Sequence, residues 1–379
     1  MAVPFQTDPA WLRARLTDWL TTRDGGSSSA GSVWWELGEP SVPPGQGYSG
    51  ELVLLPAFRS GPGGGRREAR PLVVRLAPRR FRLYPWDRFA EQCRVMEILA
   101  RQGEVPVPPV HGVEHDPAVL GAPFVVLGLV EGQVPPDIPP YHMRGFLYDM
   151  ALAARGRVWD AALVAMARIH RLDPVRLGLG FAGQPEYGPP GMAQQLAAYE
   201  RHLDFFAPAA DARATVEAAL GWLHEHPPAE PHPVRLLWGD ARLANMIFQG
   251  ERVAAILDWE MMSLGQPETD LAWFLHLDRH LSEGCGIPRL PGLPDRVATA
   301  ARYAELLGRP LVDLDHHLLF ASVRHTLLAA RVTRMIREYD LLPPDRVPPI
   351  DRYAATLLSR VLDETRLRPA APRAPLCDS

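Results

Sequence analysis

Lysine is absent from the sequence, so arginine supplies all 40 basic side chains. No G-x-x-x-x-G-K-[ST] stretch exists, which excludes a P-loop nucleotide site. With abundant alanine, proline and glycine, the arginine bias reads as the product of a GC-rich coding sequence. Cysteine is scarce too. Cys93, Cys285 and Cys377 show no C-x-x-C spacing, and their odd number argues against a disulfide framework. No window approaches 18 uninterrupted apolar residues, and "MAVPFQTDPAWLRARL" lacks the basic start and apolar core of a signal peptide. A cytoplasmic protein without a membrane partner is expected. There is no excess of positive charge either: the net charge is −4, which gives no reason to expect a nucleic-acid partner. Oligomeric state is left open.

What is present is ordinary globular composition, 47% apolar and 22% charged over 379 residues. That length suits one large domain or two ordinary ones. Residues 8–22, "DPAWLRARLTDWLTT", set Trp11, Leu12, Leu16, Trp19 and Leu20 on one helical face, with Asp8 and Pro9 as a helix start. "GGSSSAGS" at 25–32 reads as a flexible linker, so residues 1–32 form an N-terminal helix and linker. From 33 to 130 strand signals dominate. "SVWWEL" and "YSGELVLLPAF" are followed by a hairpin tip, "RSGPGGGRREA", and a partner strand, "RPLVVRLAP". "PWDRFAEQCRVMEILARQG" is a helix with Gly103 near its end, and "APFVVLGLVEG" is a buried strand. The expected order is strand, hairpin, helix, strand. Beyond the proline-rich "VPPDIPPYH", residues 131–367 carry helical periodicity, broken by "VRLLW", "MIFQGER" and "VAAILDW". The tail, 368–379, reads as disordered. The class is α+β.

The β break in the helical half holds "LLWGDARLANMIFQGERVAAILDWE", residues 236–260. Asp240, Asn245 and Asp258 stand there among apolar runs. Phosphoryl transfer needs such groups: one carboxylate to orient a hydroxyl and accept its proton, with a second carboxylate and an amide oxygen as hard ligands for Mg²⁺. D-x-x-x-x-N alone is common by chance; the preceding strand, following hairpin and strand-borne aspartate make it specific. The competing reading is a set of solvated carboxylates capping turns. His170, His316, His317 and His325 are read as packed or surface residues, and no zinc site is assigned.

"LLWGDARLANMIF…VAAILDWEMMSLGQPETDLAWF" resembles the aminoglycoside phosphotransferase-like family of small-molecule kinases, over roughly residues 40–340. The resemblance implies a bilobal protein-kinase-like fold, with a nucleotide-binding N-lobe at 33–130 and a helical C-lobe at 131–367. It implies Asp240 as catalytic base, Asn245 and Asp258 as magnesium ligands, and Asp270 in "DLAWF" as a support for the catalytic loop. Arg242 either binds the acceptor or the transferring phosphoryl group, or bridges to Asp270. Glu260 and Asp270 are candidate acceptor contacts. Trp238 replaces the family's usual histidine, as in a W-G-D-A-R bacterial subset, and is read as a packing variant.

In the N-lobe, "PGQGYSGEL" stands where the family's phosphate-covering hairpin belongs, nominating Gly45, Gly47, Tyr48, Ser49 and Gly50. Arg75 takes the place of the usual strand lysine. Gln92 holds the register of its helix glutamate partner, with Glu91 and Glu97 as acidic neighbours. Leu127 and Leu129 are the candidate adenine contacts. The expected activity is transfer of the γ-phosphate of ATP or GTP, with Mg²⁺, to a hydroxylated small molecule. The alternative is a catalytically impaired kinase-like binding protein, suggested by Trp238, Arg75 and Gln92.

Overall fold

The computed structural model describes residues 7–25, 33–42, 50–61, 67–228 and 234–367. The linker at 26–32, the hairpin tip at 62–66, the tail from 368, and Gly45, Gly47, Tyr48 and Ser49 lie outside the described residues. The chain divides into two compact units, Met1–Glu131 and Gly132–Ser379. The class is α+β, with a β-rich first unit and a mainly helical second.

The first unit opens with helix α1 (Pro9–Gly25), whose turn starts at Asp8: its carboxylate accepts from Trp11 N at 2.7 Å. Leu12, Leu16 and Leu20 are sealed in the core, whereas Trp11 is 42% exposed, so leucines rather than both tryptophans form the packed stripe. β1 (Trp34–Leu37), β3 (Ala57–Ser60) and β4 (Arg67–Ala69) make one antiparallel sheet in the order β1-β3-β4. β2 (Glu51–Leu55), β5 (Leu72–Leu76), β6 (Val110–Glu114) and β7 (Phe124–Gly128) make a second, ordered β2-β5-β7-β6. Alternation decides each face: Leu72, Val74 and Leu76 are buried, while Val73 and Arg75 are half-buried. Helix α2 (Phe89–Gln102) buries Phe89, Gln92, Cys93, Val95, Met96 and Leu99, and Gly103 ends it in the left-handed conformation. The expected order of elements omits β6. "VHGVE" follows a proline run and contains a glycine, so its propensity is weak; pairing with β7 makes it a strand.

The second unit is built on helices α3 (Leu152–Arg171), α4 (Met192–Arg201), α5 (Ala210–Glu225), α6 (Glu268–Arg279), α7 (Arg296–Leu307), α8 (Leu314–Glu338) and α9 (Ile350–Leu367). Its core includes Trp159, which meets Phe274 edge-on at 4.6 Å and donates its indole N–H to Thr299 Oγ1 at 3.1 Å. Two short antiparallel pairs interrupt the helices: β8 (Arg235–Leu237) with β11 (Ser263–Gly265), and β9 (Met246–Gln249) with β10 (Arg252–Ile256). β11, three residues long, is too short to be read from periodicity. Among the described residues no helix is long and apolar enough to cross a membrane.

Candidate active site

β8 ends at Leu237 and the chain turns through Trp238, Gly239 and Asp240. Gly239 sits at φ +90°, and a Cβ there would lie 2.0 Å from the carbonyl oxygen of Met261. Only glycine lets the two segments pass so closely. From behind, Asp270 clamps the turn: Trp238 N donates to its Oδ2 at 2.7 Å and Gly239 N to its Oδ1 at 2.9 Å. His170 joins at 3.0 Å through Nε2, and its Nδ1 is bonded to the Tyr303 hydroxyl. The Asp270 carboxylate can only accept, so His170 meets it with Nε2–H, while burial holds the Tyr303 phenol well above its ordinary pKa. Asp270 is 0% exposed, with both oxygens engaged. It is therefore no acceptor contact; it fixes the loop.

The clamp aims Asp240, which is 7% exposed and receives three donors. Asn245 Nδ2 reaches Oδ2 at 2.7 Å, Arg242 Nε reaches Oδ2 at 3.1 Å, and Trp273 Nε1 reaches Oδ1 at 2.7 Å. Arg242 does not bridge to Asp270. Its Nη1 pairs instead with Asp137, whose carboxyl is raised by burial, with Arg242 opposing the rise and Asp240 reinforcing it.

The β9–β10 hairpin brings the other two motif residues to one end. Met246 pairs with Ile256, and Leu257 N donates to Asn245 O at 2.8 Å, so Asn245 and Asp258 both lie at the open end of this hairpin. Asp258 is half-buried at φ +57°, a conformation that non-glycine residues seldom adopt and that marks functional turns. Trp238 secures this turn. Its indole N–H is shared between the carbonyls of Leu257, at 2.8 Å, and Asp258, at 3.1 Å, while the ring is fully buried. The tryptophan thus packs and also ties the two motif segments together, as an imidazole N–H could.

Asn245 donates Nδ2 to the backbone oxygen of Asp240 at 3.1 Å and to its Oδ2 at 2.7 Å, so its Oδ1 is the oxygen turned away from Asp240. Two protein oxygens suit Mg²⁺, which keeps waters and takes phosphate oxygens as further ligands. Among the described residues no group of three or more His, Cys, Asp and Glu could hold a metal alone. Glu260 is buried, 8% exposed, beside the sealed ring of Trp259.

In the first unit, Gly50 lies at φ +75°, and a Cβ on it would sit 2.8 Å from Leu76 O and 3.9 Å from Arg75 Nε. Gln92 is buried on α2. Beside it, burial pushes the Cys93 thiol up to about 12, with the Arg75 guanidinium opposing and the Glu97 carboxylate adding. Leu127 is 7% exposed between Val73 and Val110, and Leu129, beyond the strand, is 39% exposed with its N–H on Pro71 O.

Sequence reasoning missed three contributors. Trp273, three residues after the buried Asp270 on α6, lies on the same helix face. Asp137 lies in a proline-rich connection far from the motif. Arg324, on α8, donates Nη2 to Gly239 O at 3.1 Å, and no local pattern announces it.

The loop thus holds one buried carboxylate under three donors, Asn245 Nδ2, Arg242 Nε and Trp273 Nε1. The chain belongs to the phosphotransferase enzyme family, whose model matches residues 64–289. Acyl-CoA dehydrogenase family member 10 of Mus musculus is 30% identical over 209 residues, 54% of this chain and only 18% of that relative. A Ralstonia eutropha JMP134 protein assigned by name to the aminoglycoside phosphotransferases shares the fold. The TM-score is 0.67 at 22% identity, covering 93% of this chain and 98% of that one. So does a thermostable mutant of aminoglycoside phosphotransferase APH(4)-Ia, in ternary complex with AMP-PNP and hygromycin B. There the TM-score is 0.53 at 14% identity, covering 88% and 96%.

Proposed function

We propose that this phosphotransferase moves the γ-phosphate of ATP or GTP to a hydroxyl of a small metabolite or natural product. The observation that carries the reading is the triply held carboxylate of Asp240. Donors from Asn245, Arg242 and Trp273 fix its orientation, which suits a group that aligns a hydroxyl and takes its proton late. In-line attack of the hydroxyl oxygen on the γ-phosphorus breaks the bond to the β-γ bridging oxygen, and the hydroxyl proton passes to Asp240. Asn245 Oδ1 and Asp258 would hold Mg²⁺, which offsets phosphate charge when bound. Arg242 lies where it could meet the transferring group, with Asp137 steadying it. Gly45, Gly47, Tyr48, Ser49, Gly50 and Arg75 would restrain the phosphates, Gln92 and Glu97 would support Arg75, and Leu127 and Leu129 would contact the purine.

The AMP-PNP and hygromycin B bound by the APH(4)-Ia neighbour support a nucleotide donor and a hydroxylated acceptor. The relative from mouse is matched over 18% of its length, so nothing of its acyl-CoA chemistry is carried over. An Asp240→Asn variant tests the reading. The amide keeps the side chain's shape but has one acceptor oxygen, so it retains either the Trp273 contact or those of Arg242 and Asn245, and it cannot accept a proton. Nucleotide binding should persist while kcat falls at least ~10²-fold. Undiminished kcat with a found acceptor would remove Asp240 from the role.

A further inference from the structure

Resting on that kinase reading, we propose that Arg324 recognises an anionic group on the acceptor, so that the hydroxyl phosphorylated belongs to a carboxylate- or phosphate-bearing molecule. Arg324 is 2% exposed on α8. Its Nη2 donates to Gly239 O at 3.1 Å and lies 3.9 Å from Met261 Sδ. The guanidinium carbon sits 4.7 Å from the ring centre of Trp273, 5.5 Å from Phe320 and 5.7 Å from Tyr199. Nε is sealed from water with no hydrogen-bond partner. Among the described residues no carboxylate lies within ion-pair distance of it.

A buried charge without a counter-ion is disfavoured; three aromatic faces and one carbonyl offset only part of that cost. Space alone would be filled more favourably by methionine or leucine. A guanidinium keeping an unpartnered Nε–H beside an engaged Nη2 has the geometry with which a carboxylate or phosphate is taken in a fork. Its place gives the charge a use. The Trp273 ring beneath it donates to Asp240, and the Gly239 carbonyl it holds precedes Asp240 in the chain. An anionic acceptor approaching Asp240 meets repulsion from that carboxylate, from Asp258 and from the donor's phosphates. Arg242 is engaged by Asp240 and Asp137. His325, beside Arg324 in sequence, and His276, which bonds it, are kept neutral by burial and supply no charge. Of the two guanidiniums at this loop among the described residues, Arg324 is the one with no carboxylate beside it.

The test titrates matched acceptors into the full chain saturated with AMP-PNP and Mg²⁺. 3-Hydroxybutyrate and 3-hydroxyoctanoate are set against their amides, and glycerol 3-phosphate against glycerol. Wild type should bind the anions at least ~10-fold more tightly than their neutral partners. Arg324→Met should remove that preference without changing AMP-PNP affinity, and Arg324→Lys should restore part of it. The acid and phosphate arms decide which anion is preferred. Anions bound no better than neutral partners would overturn the proposal. So would a preference that survives Arg324→Met, or an equal loss for charged and neutral acceptors, which would make Arg324 a brace for the loop. Failure of wild type to bind AMP-PNP at all would instead strike the kinase reading.

Discussion

Single residues decide whether the loop is catalytic, and Trp238 is the sharpest case. From sequence it is a substitution at a family histidine, readable only as a packing variant. The indole N–H on Leu257 O and Asp258 O gives it a further task that no pattern conveys, because its partners lie about twenty positions away. Trp238→Phe keeps the ring and deletes the donor. Two carbonyls then lose a shared hydrogen bond, at a cost of about 1–3 kcal/mol. We expect lower stability by that amount and weaker Mg²⁺-dependent nucleotide binding, with Trp238→His recovering part of both. Equal urea midpoints and equal affinity for Trp238→Phe and wild type would show that the ring alone suffices. Asp240, Asn245 and Asp258 stand out in the sequence because spacing, strand context and chemistry agree, and their roles are those proposed above; the burial of Asp270 behind the loop is not visible in the sequence.

At the scale of elements, what can be read depends on how local the cause is. The β9–β10 hairpin is visible as strand, turn and strand, and its register carries Asn245 and Asp258 to one end. β6 and β11 are not, because both are made strands by partners rather than by their own propensity. A histidine cluster behaves in the same way. His276 and His280 stand four apart on and just beyond α6, an H-x-x-x-H spacing present in the sequence, and His325 comes from α8. His276 Nε2 and His325 Nδ1 are 3.1 Å apart, and the His280 and His325 rings are 4.2 Å apart. His325 also meets the edge of Trp273 at 6.1 Å. Burial depresses all three, His280 to about 4. The unfolded chain therefore binds more protons below pH ~6.5, so stability falls as pH drops from there and levels off below the folded pKa values. At pH 5, His280 alone would cost about 2 kcal/mol relative to pH 7. Its Nδ1 has no partner, so His280→Leu should fold and lose less between those pH values. Urea midpoints at pH 7 and pH 5 check this, and parallel shifts in both proteins would refute it.

Across the whole molecule, the composition and the change from strand to helical periodicity made the α+β class accessible, and the motif placed the chain in its family. The acceptor stayed out of reach because Arg324 on α8, the residue proposed to meet it, is brought to the loop by tertiary packing and not by any local pattern. The central claim is that Asp258, held in its rare conformation beside Asn245, carries the metal that binds the nucleotide. Calorimetric titration of ATP and GTP into wild type and Asp258→Asn, with and without Mg²⁺, tests it most directly. Binding of at least one nucleotide that needs Mg²⁺ and weakens ~10-fold or more in the variant is the expected result. Nucleotide binding indifferent to Mg²⁺ and to the substitution would contradict it.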